Sequence, residues 1–140
     1  QEMIDYVYEE KILPRLSDFL GNTFEGICID ILKIKNKNMK LPFVFDKIGP
    51  WWGNNPIMKR EEKIDILAIS KDNALIGECK WRNQRLDMSA INSLIEKSQA
   101  LKYENKYYIY FSKSGFAEDV INFSKHNEKI ILIDFSNELI

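Results

Sequence analysis

A chain of 140 residues with 45% hydrophobic and 29% charged side chains has the size and polarity of one soluble domain with a real core, and nothing in it divides into two. Basic and acidic residues number 20 and 21, for a formal charge of -1, so no overall field announces a nucleic-acid binder and any such role must rest on local clusters. No apolar run approaches the ~20 residues of a membrane span, and no basic stretch leads into an apolar one as in a secretion signal; a cytoplasmic location without membrane association is expected.

From Pro14 to about Ile34, the residues Leu16, Phe19, Leu20, Phe24, Ile27, Cys28, Ile31 and Leu32 recur at three and four, which predicts a helix with a broad inner stripe. At roughly 100° per residue, Glu25 falls beside Leu32 on the flank of that stripe. There it is either a carboxylate that looks into a neighbouring cleft or an ordinary solvated helix acid. Lys33, Lys35, Lys37 and Lys40 follow as a basic cluster, and Leu41 to Trp52 reads as a strand leading into an aromatic loop that ends near Pro56.

The next segment holds the chemistry. Lys63-Ile64-Asp65-Ile66-Leu67-Ala68-Ile69-Ser70, a short loop, and Ala74-Leu75-Ile76-Gly77-Glu78-Cys79-Lys80 read as a hairpin that carries two acids and a lysine among apolar residues. Ionised groups in such surroundings call for partners, a metal or a phosphate. Glu78 and Lys80 share a strand face because side chains two apart point the same way. A two-residue connection at Asp72-Asn73, or four residues from Lys71 to Ala74, would set Asp65 opposite Lys80 and on that face; a three-residue loop would turn it to the other. The bland alternative is an ion cluster exposed at a strand end.

Asp87 to about Tyr103 is predicted helical, Lys106 to Ser112 a strand, Phe116 to about His126 a helix and Ile130 to Asp134 a strand. The order αβββαβαβ implies an antiparallel meander followed by parallel additions, an α/β fold with a mixed sheet flanked by helices. Cys28 and Cys79 lack metal-ligand and disulfide-framework spacing and read as buried free thiols. His126 is the only histidine and lies far in sequence from the acids. Gln99 and Tyr103 repeat a spacing found in RecB-type nucleases, which helices also produce by chance.

Asp65 followed by Glu78-x-Lys80 resembles the signature of the PD-(D/E)xK nuclease superfamily. More narrowly, Ile48-Gly49-Pro50-Trp51-Trp52, Ile64-Asp65-Ile66-Leu67-Ala68 and Gly77-Glu78-Cys79-Lys80-Trp81-Arg82 are similar to the nuclease-like domain at the C-terminus of archaeal-type ATPases. The likeness covers about Phe19 to Phe135; Lys63-Ile64 departs from it where the superfamily has proline. The resemblance implies a restriction-endonuclease-like fold and a single nuclease-like domain over residues 1–140. A start at Gln1 rather than Met agrees with a fragment of a larger ATPase.

For function, the resemblance implies a metal-dependent DNA endonuclease module in which Asp65, Glu78 and the backbone carbonyl of Cys79 hold magnesium or manganese. Glu25 would orient a water, and Lys80 would position or deprotonate it or offset developing charge. Lys59, Arg60, Arg82 and Arg85 bracket the hairpin with cations, and Trp51, Trp52 and Trp81 could stack on or wedge beside bases, although lid or core packing is the more ordinary reading of these tryptophans. Expected partners are DNA and an ATPase module in the same full-length protein; a homodimer is left open. A different class of function is a nuclease-like domain that binds nucleic acid or protein for the ATPase without cutting.

Overall fold

The computed structural model describes residues 13–56 and 59–136. They form α1 (Leu13–Lys37), β1 (Lys47–Asn55), β2 (Arg60–Ser70), β3 (Asn73–Lys80), α2 (Met88–Lys97) with a 3-10 turn at Ser98–Ala100, β4 (Asn105–Ser112), α3 (Glu118–Lys125) and β5 (Ile130–Asp134). The strands make one five-stranded sheet in the order β1-β2-β3-β4-β5. β1, β2 and β3 are antiparallel neighbours; β3, β4 and β5 run parallel. This is the mixed sheet of an α/β fold in the expected element order.

Helices cover both faces, so the central strands are apolar on both sides. On one face Phe24, Cys28 and Leu32 of α1 pack on Ile66, Ala68, Leu75, Ile109 and Phe111. Ile91 and Leu94 of α2 and Val120 of α3 cover Ile64, Ala74, Ile76, Tyr108 and Tyr110 on the other. Asp87 caps α2 by accepting the Ala90 N–H at 3.1 Å, which fixes where the helix starts at the mouth of β3.

The helix expected from Asp87 to about Tyr103 ends at Lys97 and a 3-10 turn, which leaves Tyr103 outside it, and three further details differ from the sequence expectation. The strand expected from Leu41 to Trp52 starts only at Lys47 and runs on to Asn55, so that Gly53, Asn54 and Asn55 pair with Glu62, Glu61 and Arg60 rather than forming a loop. The β2–β3 connection is Lys71-Asp72, with Ser70 opposite Asn73, because Asn73 is claimed by pairing on both sides, the second with Asn105 of β4. Lys71 accordingly takes a left-handed φ of 55°.

The third detail is a β-bulge. Gly49 pairs with Leu67 but Trp51 pairs with Ile64, so Asp65 and Ile66 together stand opposite Pro50. Pro50 has no N–H to give to the ladder, which makes this the natural place to interrupt it. Ile64 and Leu67 therefore face the same layer although they are three apart, and strict alternation fails at Asp65.

Candidate active site

β3 delivers Glu78 and Lys80 to the α2 side of the sheet, where Glu78 Oε1 lies 3.1 Å from Lys80 Nζ. Glu78 is buried at 7% exposure, and its charge, after burial itself, pushes the Tyr110 phenol above its usual range. Both side chains line a cleft of about 340 Å³ with Arg82, Arg85, Ser89, Ser93 and Lys97. The three α2 residues recur every fourth position, so one polar helix face forms a wall of the cleft.

Asp65 does not take the Glu78–Lys80 face that a connection at Asp72-Asn73, or one from Lys71 to Ala74, would have given it. Because of the bulge, its carboxylate fills the seam where β2 and β3 part: Oδ2 accepts the Cys79 backbone N–H at 3.0 Å, beyond the last strand pair Ile66–Gly77. It thus replaces a strand carbonyl and touches the peptide unit that joins Glu78 to Cys79. Oδ1 looks toward the α1 side and lies 3.6 Å from Lys63 Nζ.

Glu25, on α1, is not a free solvated acid. Its oxygens accept from Lys63 Nζ at 3.3 and 3.4 Å, which ties it to Asp65 through one shared ammonium. Burial pulls the Lys63 pKa down, but the bond to Glu25 and the charges of Glu25 and Asp65 prevail and raise it. Lys63 is the site residue that sequence reasoning passed over; its place two positions before Asp65 was the available signal. Nearby, the Cys79 thiol is held protonated by its hydrogen bond to Cys28, by burial, and by the charges of Asp65 and Glu25.

A family model described as archaeal and bacterial proteins of unknown function, DUF234, matches residues 1–94. The chain belongs to the DUF234 family. It is 34% identical over 110 residues to "Uncharacterized protein MJECL04" of Methanocaldococcus jannaschii, a match that takes in 74% of this chain and 24% of that protein. The chain thus spans about a quarter of the length of that curated relative. A solved structure titled as a protein of unknown function, AF1548, aligns with a TM-score of 0.44 at 16% identity over 74% of this chain and 55% of the other.

In this DUF234 domain the expected nucleic-acid residues are not alike. Trp81 turns to the α1 side, where Phe24 at 5.2 Å and the Lys113 ammonium at 4.9 Å cover its ring, so it packs rather than offering a face to a base. Arg60 is engaged with Glu62, and Lys59 is an exposed residue at φ 53° just before β2. Arg82 and Arg85 are exposed at the rim of the cleft.

Among the described residues no group of three or more His, Cys, Asp and Glu side chains converges as a metal cage. The candidate donors are fewer and flank one peptide unit: Asp65 in the seam between β2 and β3, Glu78 on the α2 side paired with Lys80, and the backbone that joins Glu78 to Cys79. Magnesium is a hard cation that typically takes one or two protein carboxylates and fills its shell with water and substrate oxygen, so these residues fit it.

Proposed function

We propose that this domain is a divalent-metal-dependent DNA endonuclease module of the PD-(D/E)xK type, with a restriction-endonuclease-like fold. The observation that carries the reading is the placement of the Asp65 carboxylate on the Cys79 N–H, one peptide unit from Glu78, with Lys80 paired to Glu78 in an open cleft. Asp65, Glu78 and the Cys79 carbonyl would hold magnesium or manganese, and such an ion supplies charge against the scissile phosphate. Lys80 stands where it can hold or accept a proton of the attacking water as a phosphodiester P–O bond breaks. Glu25 would orient that water once released from Lys63. Arg82 and Arg85 at the rim, with Ser89, Ser93 and Lys97 along α2, offer cations and hydroxyls to a phosphate backbone.

A second reading is a non-cutting domain that binds nucleic acid or protein for an ATPase module in the same full-length protein. What favours it is that the acids are already neutralised within the chain, Glu78 by Lys80 and Glu25 with Asp65 by Lys63. A plasmid-nicking assay across a magnesium and manganese titration separates the two. Nicking that requires the metal and disappears in Glu78→Ala supports the nuclease. DNA retention without nicking at any metal concentration supports the second reading. The ATPase module, a homodimer and a cytoplasmic location belong to the same proposal.

A further inference from the structure

The Glu25 and Asp65 carboxylates already share a cation, and it belongs to the chain. Lys63 Nζ lies 3.3 and 3.4 Å from the Glu25 oxygens and 3.6 Å from Asp65 Oδ1. Asp65 Oδ2 is committed to the Cys79 N–H. Oδ1 is the oxygen without a backbone donor, and it is the one Lys63 faces. A divalent ion at the ~2.0–2.1 Å that magnesium takes from a carboxylate oxygen would meet the ammonium as a like charge at close range. The two cations would compete for the same carboxylate, each weakening the hold of the other.

Lys63 also has somewhere to go. Its side chain is 41% exposed on a flexible stem. Its cross-strand neighbour in β1 is Trp52, whose ring centroid is 5.9 Å from the ammonium and whose side is open to solvent at 66% exposure. The ammonium already lies over that indole at the outer limit of a cation–π contact, and a closer approach to the ring face is a favourable seat for it. We propose that Lys63 is a resident cation of the site, which a divalent ion displaces toward Trp52, so that metal affinity is set by competition with this tethered ammonium. The exchange keeps the two carboxylates neutralised throughout and releases Glu25 only when metal is present. The inference rests on the metal-site reading above.

Manganese binding followed by the electron paramagnetic resonance signal of the free ion tests it on this chain, with Lys63→Met and Lys63→Arg beside the unaltered protein. Lys63→Met is expected to bind manganese on the order of tenfold more tightly, since two partly exposed ion pairs no longer oppose loading. Lys63→Arg, which keeps the charge, is expected to stay near the unaltered protein. The melting temperature of Lys63→Met should also fall without metal and recover with manganese by a larger margin than the unaltered protein shows. Equal or weaker manganese binding in Lys63→Met overturns the proposal, as does absence of binding in all three proteins at millimolar metal. Tighter binding in Lys63→Met without plasmid nicking leaves it standing and counts against the nuclease reading alone.

Discussion

Glu78 and Lys80 face each other across 3.1 Å at the floor of the cleft, but they do different work in the proposed chemistry, so their substitutions should separate. Glu78→Ala removes a ligand and should weaken divalent binding about tenfold or more by calorimetry, since few protein carboxylates hold the ion. Its cost to folding should be about 1 kcal/mol in urea denaturation, because the orphaned Lys80 side chain remains 24% exposed and can be hydrated. Lys80→Ala should leave metal affinity nearly unchanged, as an ammonium is no metal ligand, and lower nicking by roughly 100-fold or more. Loss of metal binding in Lys80→Ala together with retention in Glu78→Ala would reverse these assignments.

At the scale of the strand, Gly77 explains how β3 can bring charges to its end while passing through the core. A Cβ there would stand 3.0 Å from Ile66 Cβ and 3.2 Å from Ile109 Cγ2, both branched residues on neighbouring strands. Gly77→Ala is therefore expected to cost about 1–3 kcal/mol by overpacking and to loosen the seam that seats Asp65. Equilibrium unfolding measures the first effect and the manganese affinity the second. The strands themselves were legible in the sequence: Ile130–Asp134 stands as its pattern predicts, and β4 differs from the prediction by one residue at its start. Glu78 and Lys80 on one face needed only the period of a strand. What periodicity could not carry was Asp65, since a bulge is set by the partner strand, here by Pro50 across the ladder. Nor could it find Lys63, whose role exists only because α1 packs Glu25 over that part of the sheet. The turn was misplaced for the same kind of reason: Asn73 looks like a turn residue until β4 pairs with it.

For the molecule as a whole, charge and pH give two further expectations. Arg82 and Arg85 lie at the rim of the cleft and outside the core, so Arg82→Ala and Arg85→Ala should leave stability within about 0.5 kcal/mol. They should weaken DNA binding about equally across sequences and flatten its salt dependence by about one unit of log–log slope per lost phosphate contact. Unchanged affinity and slope in the double variant would make the basic rim a solvated surface. Stability should decline on the alkaline side. The folded chain holds the Cys79 thiol above its ordinary 9.0 and the Tyr110 phenol above its ordinary 10.0, whereas both ionise at those values once unfolded. Lys63, raised above 10.5, adds stability that is complete below that value and lost as pH climbs past it. All three have the same sign, because the unfolded state sheds protons first. Urea unfolding at pH 8 and pH 10 should show the loss, and Cys79→Ala should reduce its earliest part. The strand order offers a consequence of another kind. Among the described residues every strand from β1 to β5 lies beside its predecessor in the chain, so none of these five has to be inserted between two already paired. A polypeptide leaving the ribosome can add each strand to a finished edge as it emerges, the hairpins first and the crossovers after, with no stage that waits for a distant segment to be made.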